Sequence, residues 1–260
     1  MRDVTAYSRD VIRGAERILV LTGAGISAES GVPTFRGAEG LWKNSRPEEL
    51  ATPMAFERDP RLVWEWYDWR RRRVRDCHPN AAHLALAGLA LRDYGRRTRI
   101  VTQNVDGLHA VAARDTAARL VPAMRSDAAL PLELHGSLFR VRCTACGVRR
   151  EDDGPVDASS VETLPHCVRC DGLLRPDIVW FGEQLDDSVL GEALDQARTA
   201  DVCLVIGTSA VVHPAASLAM VTKRAGGELI EVNPQATPLT PLADASIRGT
   251  AADVVPRLIP

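Results

Sequence analysis

The chain has 260 residues, of which 45% are apolar and 25% charged, and its formal net charge is -2 at pH 7. This length can bury one good core and a small satellite domain. The near-neutral charge argues against nucleic-acid binding as the main function, and no apolar run approaches the roughly 20 residues needed to cross a bilayer. Since the polar amino terminus lacks the apolar core of a signal peptide, we expect a cytoplasmic protein that binds neither nucleic acid nor membrane.

The chain begins with mixed apolar and polar residues at helical spacing over 4–17, which predicts a helix that covers a sheet. The apolar run Ile18–Leu21 predicts a buried parallel strand, and it ends in the small residues Gly23, Ala24 and Gly25. Glycines at such a strand end let backbone N–H groups approach a pyrophosphate. Small residues also serve tight packing between a strand and a helix, so both interpretations stay open here.

Gly31 and Pro33 follow closely and limit any helix after this loop to about two turns. The segment 32–37 is therefore predicted to be a loop over the ligand, presenting Phe35 and Arg36. As a whole, GAGISAESGVPTFRG resembles the signature of the sirtuins, the NAD-dependent protein deacylases.

A segment rich in aromatic and charged residues, 41–75, comes next, and its three prolines divide it into short helices. This pattern predicts a small helical module inserted after the first strand. Within it, residues 63–74 are predicted to form a helix with its aromatic side chains packed inward and its arginines solvated, Arg71 to Arg73 included.

Tyr67-x-x-Arg70 in this helix resembles the pair that marks the sirtuin class preferring acidic acyl groups, such as succinyl and malonyl. Residues three apart share a helix face, so a phenol and a guanidinium can converge on one carboxylate. The simpler alternative is that Tyr67 belongs to the inward aromatic stripe. Residues 79–92 predict a further helix, in which His83 is expected to be structural.

Five apolar runs each end in small or polar residues, and in an open parallel sheet such ends line one ligand crevice. Turn chemistry alone would explain any single one of them. TQNVDGLH, ELHGSL, GTS and EVNP each match sirtuin motifs in sirtuin order, and the match runs from about residue 16 to the end. Polar or small residues follow each of the four later runs. They are Gln103, Asn104 and Asp106 after the second run, His135 after the third, Gly207, Thr208 and Ser209 after the fourth, and Asn233 after the fifth.

His135 is the candidate general base, because an imidazole titrates near neutral pH and can take a proton from a sugar hydroxyl. The resemblance implies that the acyl-lysine oxygen attacks the ribose carbon of NAD as nicotinamide leaves, and that His135 then helps to activate a ribose hydroxyl. The products would be free lysine, nicotinamide and O-acyl-ADP-ribose. The partners would be proteins that carry acylated lysines.

The resemblance also assigns the remaining contacts. Asn104 and Asp106 would hold the nicotinamide end of NAD, with Gln103 near the ribose and the histidine. Other cofactor contacts would be Gly23, Ala24, Gly25, Glu29, Phe35, Arg36, Trp42, Gly207, Thr208, Ser209, Asn233 and Ala251. A strand over 178–183 would pair with the substrate backbone through Val179, Phe181 and Gly182.

One departure from the family pattern lies between His109 and Leu134, where the family usually has a short link. Here residues 110–131 are long, Ala-rich and Arg-rich, and we expect a surface insertion near the site.

Two close cysteine pairs, Cys143-x-x-Cys146 and Cys167-x-x-Cys170, fit a four-thiolate zinc ribbon. With four protein ligands the ion has no open position, so this zinc is predicted to be structural. Residues 151–165 would be the exposed loop of the ribbon. His166 is expected to be a bystander, and Cys77 and Cys203 ordinary thiols.

These patterns predict an α/β enzyme with a Rossmann-like parallel sheet and a second, smaller domain made of the zinc ribbon and the helical insert. The NAD-binding domain would comprise 1–36, 79–138 and 177–260, and the small domain 37–78 and 139–176. The predicted function is NAD-dependent desuccinylase and demalonylase activity, with acetyl-lysine also accepted. Alternatives are a mono-ADP-ribosyltransferase and a non-catalytic NAD-sensing protein.

Overall fold

The computed structural model describes residues 3–33, 46–92, 97–120, 126–211 and 214–259. Within these ranges the strands are β1 (Ile18–Thr22), β2 (Thr98–Thr102), β3 (Leu132–Glu133), β4 (Gly136–Cys143), β5 (Arg149–Glu151), β6 (Leu174–Ile178), β7 (Val202–Ile206), β8 (Glu228–Val232) and β9 (Ala245–Ile247).

Six of these strands make one parallel sheet in the order β3-β2-β1-β7-β8-β9. β1 lies in its interior, paired with β2 on one side and with β7 on the other. Its side chains alternate between two apolar clusters, with Ile18 and Val20 in one and Leu19 and Leu21 in the other. The predicted parallel sheet, buried on both faces, is confirmed.

Helices cover both faces of this sheet. Capping residues set several of the helix starts: the Asp3 side chain accepts hydrogen bonds at the first turn of the opening helix, which ends at Gly14 rather than at 17. One face packs against α1 (Val4–Gly14), α5 (Ala81–Leu91), α6 (Leu108–Leu120) and α9 (Ala251–Leu258), and the other against α7 (Asp187–Thr199) and α8 (Ser217–Arg224).

The helical module consists of α2 (Pro47–Leu50), α3 (Pro53–Arg58) and α4 (Pro60–Arg75). Each helix begins at a proline, since the first turn needs no backbone donor there. These helices share an apolar cluster with the second sheet, which has the antiparallel order β5-β4-β6. In that cluster Trp64 donates its indole N–H to the Leu174 carbonyl over 2.9 Å.

Three expectations were wrong. The first half of the supposed surface insertion is α6, whose buried Ala112, Ala113 and Ala117 pack against α5, because small side chains let two helices approach closely. Arg71 is fully buried rather than solvated, because it lies over the Trp64 ring and donates to the Leu138 carbonyl. The strand expected over 178–183 ends at Ile178, since the following residues form a turn.

Among the described residues, no helix combines the length and the apolar character that a membrane span requires.

Candidate active site

The carboxyl ends of five parallel strands meet at one edge of the six-stranded sheet, as the sequence predicted. Gly23 follows β1, Gln103 follows β2, Gly207 follows β7 and Asn233 follows β8, while His135 lies two residues beyond β3. Parallel pairing in register brings these ends together, for example Thr22 beside both Thr102 and Ile206.

The glycines after β1 and β7 lie against each other. The Gly25 N–H donates to the Gly207 carbonyl over 2.7 Å. A Cβ on Gly25 would lie 2.7 Å from that oxygen, and a Cβ on Gly207, whose φ is +60°, would lie 2.4 Å from the Ile26 nitrogen. Close packing of two loops therefore explains these glycines, and the Gly25 N–H is already used within the protein.

A buried polar cluster lies beside this loop contact. Ser27 donates its hydroxyl to the Asp106 carboxylate over 2.7 Å and accepts from the Asn104 amide over 3.0 Å. Asp106 also accepts from the Leu108 N–H over 2.9 Å. Burial raises the pKa of Asp106, while the hydrogen bonds from Leu108 and Ser27 lower it.

Two buried histidines flank the cluster. His83 Nδ1 accepts the Asn80 N–H, its Nε2 is 3.4 Å from the Ser27 hydroxyl, and its ring centroid is 4.8 Å from that of His109. Burial lowers the pKa of His83 to about 4 and that of His109 well below its ordinary value. Both rings are therefore neutral at pH 7.

A second set of side-chain hydrogen bonds links the ends of β2, β7 and β8. The Gln103 side-chain amide donates to the Thr208 hydroxyl over 3.1 Å, and the Asn233 amide donates to the Thr208 carbonyl over 3.2 Å. At the start of α9, next to Ala251, the Ala252 N–H donates to the Glu29 carboxylate over 3.0 Å. The half-buried Ala24 and Ser209 lie in the same two loops as Gly25 and Thr208.

His135 is half-buried, and its Nδ1 lies 2.9 Å from the Gln103 carbonyl oxygen. A carbonyl only accepts hydrogen bonds, so Nδ1 carries the proton and Nε2 keeps its lone pair. Burial lowers the pKa of His135 and the bond to Gln103 raises it, with a net decrease. The neutral ring can therefore accept a proton at Nε2.

Tyr67 and Arg70 lie on one face of α4, beside the turn that follows β6. Tyr67 is fully buried and accepts the indole N–H of Trp180 over 2.8 Å. The Arg70 guanidinium carbon is 5.8 Å from the Tyr67 ring centroid and 5.1 Å from that of Trp66. Burial lowers the pKa of Arg70, and the nearby Tyr67 and Asp106 raise it. Arg70 and Asp106 therefore interact electrostatically.

The turn after β6 presents Val179 half-buried and Phe181 and Gly182 exposed. Its main chain is held by bonds from Val179 N–H to the His135 carbonyl and from Phe181 N–H to the Ala51 carbonyl. Glu183 accepts the Trp180 N–H over 2.8 Å and pairs with Arg175 over 2.6 Å. This rigid turn adjoins both His135 and Tyr67.

The four predicted metal ligands cluster in the small sheet. The sulfurs of Cys143, Cys146, Cys167 and Cys170 all lie within 4.8 Å of one another. The Cys143–Cys170 and Cys146–Cys167 separations are 3.5 Å and 3.7 Å. A tetrahedral zinc with Zn–S bonds of about 2.3 Å would place its sulfurs about 3.8 Å apart, so the cluster fits this ion.

Phe35, Arg36 and Trp42 lie outside the described residues. Sequence reasoning missed Ser27 and His109, which contact the predicted site residues or their neighbours. His109 Nε2 lies 3.0 Å from the Thr22 hydroxyl. The signal was present, since Ser27 and His109 fall inside the quoted motifs GAGISAES and TQNVDGLH, but nothing in those motifs indicated their contacts.

The fold and the site define a class of protein: an α/β protein whose parallel strand ends carry buried polar residues and a histidine with its lone pair on Nε2, together with a four-thiolate cluster. A family model described as the Sir2 family matches residues 23–214. An NAD-dependent protein deacylase of Thermococcus kodakarensis is 47% identical over 256 residues, which cover 97% of this chain and 93% of the relative.

Two solved structures are similar as well, each with a TM-score of 0.85 and 46% identity. One is a Sir2 homologue in complex with NAD, and the match covers 98% of this chain and 92% of that one. The other is a mutant Sir2 homologue in complex with 2′-O-acetyl-ADP-ribose, with 100% and 95% covered. The chain belongs to the Sir2 family, and the predicted enzyme class, an NAD-dependent protein deacylase, is confirmed.

Proposed function

We propose that this deacylase prefers acyl groups that end in a carboxylate, such as succinyl and malonyl, on lysines of protein substrates. Acetyl-lysine is accepted as well, because a positive pocket need not exclude a small neutral group. The observation that carries the proposal is the pairing of Tyr67 and Arg70 on one face of α4, in contact with Trp180 of the turn after β6.

The chemistry of this pair suits a carboxylate. A guanidinium forms charge-assisted, often bidentate hydrogen bonds with carboxylates. Burial raises the pKa of Tyr67 to about 12, so the phenol keeps its proton at neutral pH. Its oxygen accepts from Trp180, and no acceptor for its own proton is found in the described part of the chain. That proton is available to an acyl carboxylate.

The remaining site residues hold the cofactor and the substrate. NAD supplies an electrophilic ribose carbon and a nicotinamide leaving group when bound. Asn104 and Asp106 bind its nicotinamide end, and Thr208 and Asn233 hold phosphate or ribose at the other end. His135 accepts a ribose hydroxyl proton at Nε2. One water is consumed, and the products are lysine, nicotinamide and O-acyl-ADP-ribose.

Protein substrates bind through their main chain. The main chain of the turn that carries the exposed residues Phe181 and Gly182 pairs with an extended segment, so sequence requirements are weak. The acyl-lysine side chain then runs from this turn toward Tyr67. We place the enzyme in the cytoplasm, where a reducing environment keeps the four zinc-binding thiols available.

The test compares one lysine peptide carrying acetyl or succinyl, with NAD and with wild-type and Arg70→Met enzyme. Wild type should favour succinyl. Arg70→Met should lower kcat/KM for succinyl about 10- to 100-fold, the effect of losing a charged hydrogen bond, and lower that for acetyl less than about threefold. Arg72→Met is the matched control, because Arg72 lies on the same helix with its side chain 62% exposed.

Equal losses on both peptides would refute the carboxylate pocket while leaving the enzyme class intact. Label from NAD that stays on the protein, instead of leaving as acyl-ADP-ribose, would favour ADP-ribosyl transfer.

A further inference from the structure

His135 lies at the junction of the two sheets. β3, in the parallel sheet, ends at Glu133, and β4, in the antiparallel sheet, begins at Gly136. The main chain here is held on both sides, since Leu134 N–H donates to the Thr102 carbonyl and Val179 N–H donates to the His135 carbonyl, each over 3.0 Å. The position of the imidazole therefore depends on how the sheets are joined.

One side chain spans this junction. Arg140, on β4, donates its Nε–H to the Asp177 carboxylate on β6 over 2.6 Å. Its Nη1 lies 3.3 Å from the Glu133 carboxylate on β3. The Asp177 and Glu133 side chains are only 8% and 18% exposed and that of Arg140 is 26% exposed, so both bonds are partly shielded from bulk water. A single guanidinium thus ties the parallel sheet to the antiparallel sheet.

The main chains of Gly136 and Asp177 are closely packed at the junction. Gly136 has a φ of +79°, and a Cβ there would lie 1.9 Å from the Asp177 carbonyl oxygen. Asp177 therefore contacts the chain next to His135 through its main chain while its side chain binds Arg140. A shift of Asp177 must move Gly136 and the adjoining histidine.

We propose that Arg140 is a positioning residue for the reaction: by binding Glu133 and Asp177 it holds the sheet junction so that His135 Nδ1 reaches the Gln103 carbonyl and Nε2 faces the substrate. This inference rests on the proposed function of His135. It differs from a purely structural role because Asp177 keeps a second partner, Arg149, 3.3 Å away, when Arg140 is removed. Loss of Arg140 should therefore misplace the base more than it destabilises the fold.

Separate assays of the two halves of the reaction distinguish a positioning role of Arg140 from a purely structural one. In the proposed order His135 acts after nicotinamide has left. Exchange of labelled nicotinamide into NAD, in the presence of acyl peptide, thus measures a step without the base. In that step the acyl oxygen–ribose bond forms as the ribose–nicotinamide bond breaks, and reversal restores both reactants. Formation of O-acyl-ADP-ribose measures the full sequence.

Arg140→Met should keep exchange within about threefold of wild type and lower O-acyl-ADP-ribose formation about tenfold or more, since a displaced base loses its reach. Arg140→Lys, which keeps the charge, should recover part of the loss. Arg150→Met is the control and should leave the ratio of the two activities unchanged, because Arg150, on β5, pairs with Asp152, the residue after that strand. Glu133→Gln should give the same ratio of exchange to O-acyl-ADP-ribose formation as Arg140→Met. It replaces Arg140→Met in the test if that variant does not fold.

If the wild type is active and Arg140→Met leaves the ratio of exchange to O-acyl-ADP-ribose formation unchanged, the positioning role is overturned. The proposed function is not affected by that result. A wild-type enzyme without exchange and without product would overturn the proposed function itself.

Discussion

At the scale of single residues, the protonation state of His135 follows from one contact. The Gln103 carbonyl can only accept, so it selects the tautomer with the proton on Nδ1. Burial favours the neutral ring, and the net effect is a decreased pKa. Both effects leave Nε2 able to accept a proton at neutral pH. The sequence predicted His135 as the candidate base, but it did not indicate this tautomer.

The first prediction concerns the pH dependence of this base. Only the neutral ring accepts a proton, so kcat/KM should rise with pH through the pKa of His135 in the free enzyme. Because that pKa is lowered, the acidic limb should lie below the ordinary histidine value of about 6.5. Initial rates from pH 4.5 to 8.5, with stability checked at each pH, measure it. A limb clearly above 6.5 would contradict the assignment.

At the scale of elements, α4 and the small sheet act as one unit. Arg71 donates to the Leu138 carbonyl of β4 over 2.6 Å, and Asp68 accepts the Val156 N–H of the loop after β5 over 3.2 Å. Their apolar side chains share a cluster that includes Cys143 and Cys167. The thiol cluster and the helix that carries Tyr67 therefore depend on the same core.

The second prediction concerns zinc. Cys146→Ser should reduce bound zinc from one per chain to an undetectable level and lower Tm by about 10 °C, because binding energy of a structural zinc is folding energy. Metal analysis and thermal unfolding measure the two effects. Cys77→Ser is the control, since Cys77 lies outside the cluster. Full stability of Cys146→Ser without zinc would show that the ribbon does not need the ion.

At the scale of the whole molecule, the parallel sheet buries ionisable groups beneath the site. His83, on α5, and His109, on α6, are buried, with exposures of 0% and 3%. Protonating either ring in the folded state costs desolvation energy that the unfolded chain does not pay. Stability therefore depends on pH through residues that take no part in the proposed proton transfer.

The third prediction is a loss of stability in mild acid. The pKa of His83 falls from about 6.5 unfolded to about 4 folded, so the unfolded chain binds more protons between these values. The contribution of neutral His83 to the free energy of unfolding is present above pH 6.5. It is lost as the pH falls toward 4, which lowers the free energy of unfolding by about 3 kcal/mol. His83→Asn should flatten the curve of unfolding free energy against pH by this amount. Equal curves for the wild type and His83→Asn would refute the assignment.

Local patterns in the sequence determined the parallel sheet, the five strand ends and the four-cysteine cluster. Each is a short apolar run or a close cysteine pair that needs no distant partner to be recognised. The roles assigned to the site residues and the division into two domains stay predictions.

Tertiary structure decided what depends on residues far apart in the chain. Arg71 is buried because β4 supplies its acceptor, and α6 buries one face because its alanines pack against α5. Arg140 spans the junction because Glu133 and Asp177 reach it from different sheets. The local pattern made Arg71 look solvated; the long-range contact with β4, which no local pattern encodes, gave its guanidinium a partner inside the protein.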